Sequence, residues 1–164
     1  MKRTFKYCAT HKEDEKYMQE MCEKGWAATR LVEGFWSFEA CKPGEFCYRI
    51  AYLRGKSKED VEVLKEEWKK RGISFVSRYS FWAILRSPEP FTLYTGEEEK
   101  EIVKKIYKPM PVGALVSWIL SFASLALSFQ ISHFLWIPAA LLAIYAGMCT
   151  WLMISYRKLL KKLG

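Results

Sequence analysis

The sequence predicts an α+β fold: two βαββ-like repeats forming a ferredoxin-like, helix-on-sheet domain, followed by a two-helix transmembrane hairpin. Three observations predict it. Thr10 and Ser57 open two segments of the same grammar, in which a capping residue leads a charged helix to a glycine stop. After each glycine runs an extended, aromatic stretch that holds a Phe-Trp pair, Phe35-Trp36 in one and Phe81-Trp82 in the other. Finally, residues 112–155 contain no Asp, Glu, Lys or Arg, although 27% of the whole chain is charged.

Taken in order, the first repeat begins with a strand at 4–10 and a helix at 11–24. "THKE" gives that helix an N-cap threonine with an acid three positions later, the capping-box pattern. Tyr17, Met18 and Met21 recur at helical spacing and form its inward stripe. Lys24 and Gly25 end it, because glycine adopts the left-handed turn past a helix without a Cβ clash. The second repeat begins with a strand at 46–54. Its helix at 58–71 is opened by "SKED", carries Val61, Leu64 and Trp68 inward, and stops at Arg71-Gly72. Neither stripe can be buried without a sheet beneath it, so both helices are expected on one sheet face. The Phe-Trp pairs are displaced by one residue relative to the helices, which predicts a loop or bulge that differs between copies. The expected segments are a cytosolic domain at 1–95, a juxtamembrane helix or linker at 96–110, the hairpin at 111–156 and a basic tail at 157–164.

Several phrases in this order resemble a bacterial family, the domain of unknown function numbered 2812. They are "EMCEKGW" (20–26), "FWSFE" (35–39), "PGEFCYRI" (43–50) and "GISFVSRYSFWAIL" (72–85). The resemblance covers residues 4–95, and departs at Ile73, where the family usually carries a tryptophan after the glycine. It implies transmembrane helices after the domain and a gene setting beside PadR-type transcriptional repressors. It supplies no reaction, substrate or catalytic residue.

The apolar stretches at 112–129 and 134–154 are helices of about the length a bilayer core requires. The linker 130–133 is a tight turn without Lys or Arg. Lys104, Lys105 and Lys108 precede the first span, and Arg157, Lys158, Lys161 and Lys162 follow the second. The positive-inside bias places both termini in the cytoplasm of a bacterial plasma membrane, with these seven side chains at anionic lipid headgroups. Trp136, Trp151 and Tyr156 suit the interfacial belts. Small residues form a stripe on each span, at Ala114, Ser117, Ser121, Ser124 and Ser128 and at Ala139, Ala143 and Gly147. Small residues let helices approach closely in lipid. The stripes either face one another inside the hairpin or pack between copies in a homo-oligomer.

The net charge of +8 concentrates beside the apolar region, which points to lipid rather than to direct nucleic-acid binding. The aromatic phrase of an RNA-binding sheet is missing as well. The first residues do not read as a secretory signal, so Cys8, Cys22, Cys41 and Cys47 are expected as reduced thiols in the cytoplasm. No phosphate loop, nucleophile elbow or zinc motif occurs, and His11 and His133 lie in separate regions, so neither an enzyme nor a cofactor is expected. Arg30, Arg49, Arg78 and Arg86 fall in strands. They form either a ligand or partner face or exposed positions paired with acids such as Glu33 and Glu39. The expected function is a membrane-anchored cytosolic regulatory or interaction module that binds a ligand or protein partner, with a PadR-type repressor or a transporter. The alternative is a small oligomeric channel or transport component built on the hairpin.

Overall fold

The computed structural model describes residues 1–130 and 136–163, the side chains of 127–130 excepted. The expected outer turn at 130–133, with His133, lies outside the described residues except for Gln130, which is helical, and so does the Ser128 side chain. Two compact units are present, Met1–Leu93 and Tyr94–Gly164.

The first unit is α+β and duplicated. Its first copy comprises β1 (Lys2–Phe5), α1 (His11–Glu23), β2 (Trp26–Val32) and β3 (Phe35–Ala40). The second comprises β4 (Cys47–Tyr52), α2 (Lys58–Lys70), β5 (Ser74–Tyr79) and β6 (Trp82–Ser87). Each copy builds its own three-stranded antiparallel sheet, ordered β1-β3-β2 and β4-β6-β5. The two helices thus lie on two sheets and not on one shared face. Trp36 and Phe38 are fully buried on the α1 side of the first sheet, where the Tyr17 ring meets both edge-on. Ala51, Ala83 and Leu85 pack with Val61 and Trp68 of α2 on the second.

The local chemistry of the ends agrees with these boundaries. Ser57 and Asp60 close a complete capping box. In α1, Thr10 accepts from the Glu13 amide, but the Glu13 carboxylate reaches one residue further back, to the amide of Ala9, so only half of the box forms. Strand β1 ends at Phe5 because β3, its only ladder partner, begins opposite at Phe35. Beyond that point the Lys6 amide donates to the Gly34 carbonyl, and the Lys6 carbonyl accepts from the Trp36 indole N–H instead of a ladder amide.

The copies are in the same register throughout, contrary to the expected difference in a loop or bulge. A two-residue turn joins the hairpin strands in both, and both strands β2 and β5 shift register at equivalent places, between Ala28 and Arg30 and between Phe75 and Ser77. The same spacing separates Thr10 from Ser57, Val32 from Tyr79 and Phe35 from Trp82. Phe35 thus corresponds to Trp82 in space, and the two Phe-Trp pairs do not superpose. In the first turn Glu33 and Gly34 have φ of 50° and 84°, the two positive angles of a tight hairpin turn.

The second unit contains α3 (Gly96–Tyr107), α4 (Met110–Gln130) and α5 (Trp136–Leu163). α3 is capped by Thr95 and Glu98, buries Val103 and Ile106, and packs on α5. α4 and α5 pack along one another and are long and apolar enough to cross a membrane.

The stop glycines yield a prediction that separates backbone strain from crowding. Gly72 has φ of 73° and open space where a Cβ would sit, whereas a Cβ on Gly25, at φ of 79°, would lie 3.2 Å from the Cys41 carbonyl oxygen. Gly72→Ala is expected to cost about 1 kcal/mol, the left-handed penalty alone. Gly25→Ala should cost more. Urea unfolding of the two variants, followed through tryptophan fluorescence, measures both; equal losses would refute the role given to the carbonyl contact.

Candidate functional site

The most perturbed ionisable groups of the first unit meet where the start of α1 rests on the second sheet. Thr10 caps α1, and its first turn points His11, Asp14 and Glu15 inward, all buried. His11 stacks on Trp82 with ring centroids 5.0 Å apart. The Tyr79 hydroxyl donates to Asp14 Oδ2 at 3.0 Å. Glu15 Oε1 accepts the Ile50 amide of β4 at 2.8 Å, and its Oε2 faces Lys12 at 3.2 Å. Burial pushes the Asp14 carboxyl up to about 6, against the lowering effect of hydrogen bonds from Cys8 and Tyr79. Burial, together with the negative charge of Asp14, pushes the Cys8 thiol up to about 12.

These shifts define what the cluster can do. A thiol raised so far carries almost no thiolate at neutral pH and is a poor nucleophile. Asp14 is a buried carboxyl that takes up a proton at about pH 6. The site is therefore equipped to sense pH or to couple the two halves, and less so for covalent chemistry. Sequence reasoning missed it because Cys8 and Asp14 come from one copy and Tyr79 and Trp82 from the other. One signal was available: with the caps aligned, Asp14 occupies the position of Val61, an acid where the second helix has a core residue.

Further along, Cys22 is buried with its Sγ 4.0 Å from that of Cys41, and it accepts the Phe46 amide. Burial and the neighbouring Cys22 push Cys41 up to about 11. All five cysteines are free thiols. Among the described residues, no three His, Cys, Asp or Glu side chains cluster as metal ligands would.

The four arginines are not brought together. Arg30 is exposed on the first sheet, opposite Ser37. Arg49 and Arg78 belong to the face of the second sheet that α2 covers, at its margins; Arg49 donates to the Tyr48 carbonyl and Arg78 to that of Ser80. Arg86 lies on the opposite face, 3.0 Å from Glu39 and over the Phe46 ring. The alternating pleat of a strand sends neighbours to opposite faces, so these positions form no common anion site.

In the second unit Ala114, Ser117, Ser121, Ala139 and Ala146 are buried along the α4–α5 seam. Ser117 donates to the Gly113 carbonyl and Ser121 to the Ala139 carbonyl across the seam. Trp118 donates to Thr150, at 3.1 Å. Ser124 and Ala143 are half-buried and Gly147 is exposed. Lys104 and Lys105 occupy the last turn of α3 and Lys108 caps it; Arg157, Lys158, Lys161 and Lys162 end α5, and all seven are exposed.

The Asp14 carboxyl gives a pH signature with a definite sign. Its ordinary value is 3.8 and its folded value about 6, so the folded state takes up a proton before the unfolded chain does. Its contribution to stability is full below pH 3.8 and is lost as pH rises through 6. The loss amounts to about 3 kcal/mol in total. Asp14→Asn, which keeps an acceptor for Tyr79 without the charge, should remove this component, so wild type gains on the variant as pH falls from 7.5 to 5. Parallel urea-unfolding curves for the two proteins at those pH values would disprove it.

No curated protein and no solved structure matches this chain. A family of proteins of unknown function, DUF2812, matches over residues 10–115, from the cap of α1 into the start of α4. That span is more than half of the sequence and takes in most of both βαββ copies: the chain belongs to the DUF2812 family.

Proposed function

We propose that this chain is a membrane-anchored interaction module, in which the α+β unit is held at the cytoplasmic face of a bacterial membrane and binds a ligand or protein partner there. The observation that carries the proposal is the outer surface of α4 and α5. Val112, Leu115, Ile119 and Phe122 of one helix, and Ile137, Leu141, Ile144 and Met148 of the other, are exposed, while the polar groups turn into the seam. A surface of this kind is unfavourable in water and suits hydrocarbon. The basic clusters at Lys104–Lys108 and 157–162 support cytoplasmic termini. The buried, hydrogen-bonded Asp14 and the thiols of Cys8 and Cys41, which burial keeps protonated, favour binding over catalysis.

A PadR-type repressor or a transporter is the partner class that the resemblance suggests. A channel is the weaker reading, since Ser117, Ser121 and Thr150 already bond within the hairpin. Two measurements test the proposal. The chain should stay in the membrane fraction after an alkaline carbonate wash, and a cysteine placed at Ser132 should react with an impermeant thiol reagent on intact spheroplasts. Release by carbonate removes the anchor, and labelling at the tail instead of at position 132 inverts the topology. Affinity capture of the tagged, detergent-solubilised chain should bring down a protein partner in constant ratio, and its absence would leave the module reading without support.

A further inference from the structure

The two sheets differ in what covers the face turned away from their own helix. On the second sheet that face carries the row Tyr52–Trp82–Tyr79, and α1 lies across it through the His11–Trp82 stack and the Tyr79–Asp14 bond. The corresponding row of the first sheet is Phe5–Phe35–Val32, and no helix of the first unit covers it. Phe5 is 65% exposed, Phe35 57% and Val32 44%, with the two rings 5.0 Å apart. One pleat away, the second sheet has Ile50–Ile84–Ser77 and the first has Arg3–Ser37–Arg30. That second row has the composition of a solvated surface. The first row does not.

The charges around the row identify its occupant. Arg3 and Arg30 flank it on one side, and Glu33, at the apex of the hairpin turn, lies on the other. A two-fold axis running along the row reverses the strand direction, and so sets each copy's arginines against the other copy's Glu33, with aromatic rings meeting between them. An apolar centre with opposite charges on its two sides is self-complementary, as an isologous interface requires. A bilayer surface fits less well, because Glu33 would be carried in with the rings. The α2 helix of another copy fits less well too: the positions equivalent to His11, Glu15 and Cys22, with which α1 meets the second sheet, are Lys58, Glu62 and Lys69 in α2.

We infer that the exposed face of the first sheet is a homodimer interface, in which Phe5, Val32 and Phe35 of two copies pack together and Arg3 and Arg30 of each pair with Glu33 of the other. The patch is small, so the pairing is weak in solution. It gains from confinement of two copies in one bilayer, and to that extent it rests on the anchored reading.

The test uses the full-length chain expressed in bacterial membranes with p-benzoylphenylalanine in place of Phe35. Irradiation should give a covalent dimer, with the adduct mapped to residues 3–7 or 32–37 of the second copy. Glu33→Arg should lower the dimer yield about fivefold or more, and adding Arg30→Glu to it should restore at least half. Phe5→Ser, which leaves the charges alone, should also lower the yield. An adduct to lipid, an adduct to a different polypeptide, no adduct at all, or a Glu33→Arg chain that dimerises as well as the parent would each overturn the interface. The same preparations are washed with carbonate. A chain that leaves the membrane disproves the anchor, while its cross-linking in the released fraction still decides the dimer.

Discussion

A helix placed between two sheets must either be apolar on two sides or hydrogen-bond what it buries, and α1 does some of each. Met18, Met21 and Cys22 supply apolar contact, while Asp14 and Glu15 are buried because Tyr79 and the Ile50 amide bond to them. The free edge of the first sheet is treated in the same way: at the register shift of β2, the Ala28 amide donates to the Tyr48 hydroxyl at 2.9 Å. Buried polar groups are costly when unpaired and specific when paired. The bonds of Glu15, Asp14 and Tyr48 therefore fix how the two copies meet, where apolar contact alone would let them slide.

The duplication then has unequal consequences for its halves. The second sheet is covered on both faces, by α2 and by α1, and is apolar at its centre, with Arg49, Arg78 and Arg86 at its margins. Within the first unit, the first sheet is covered on one face only. Its other face carries arginines where the second sheet has Ile50 and Ser77, yet it keeps two phenylalanines and a valine near the turn. Gly34 belongs to that arrangement, since a Cβ there would stand 2.9 Å from the Phe5 ring. The glycine serves the turn and lets the aromatic side chain lie against it.

The helical pair has the opposite arrangement, with large apolar side chains outside and small or polar ones within. In lipid, apolar side chains gain nothing from one another's company, and association depends on close backbone approach and on hydrogen bonds. Alanines and serines line the seam between α4 and α5, the composition that such an approach requires, with the Trp118–Thr150 and Ser121–Ala139 bonds crossing it. The large side chains point outward. Ser117 and Thr150 also donate to carbonyls one turn back in their own helices, which satisfies these hydroxyls without water.

The sequence by itself determined the elements. Caps, stop glycines and apolar stripes are local signals, set by which backbone groups a helix end leaves open and by helical periodicity, and they located both helices of the domain and the two long apolar helices. Thr10 with Ser57 and Gly25 with Gly72 also revealed the duplication, because the same local chemistry recurs at the same spacing. The association of the elements was decided by the tertiary structure. Whether two βαββ copies share a sheet or build one each depends on edge pairing and on what fills the space between them, and neither has a local signature. The Asp14–Tyr79–Cys8 cluster was beyond reach for the same reason: its members acquire their shifts from burial, and burial is a property of the packed halves. So too with the face of Phe5 and Phe35. The register of β1 on β3 sets these residues side by side, and the packing of α1 on the opposite face leaves this side uncovered within the first unit.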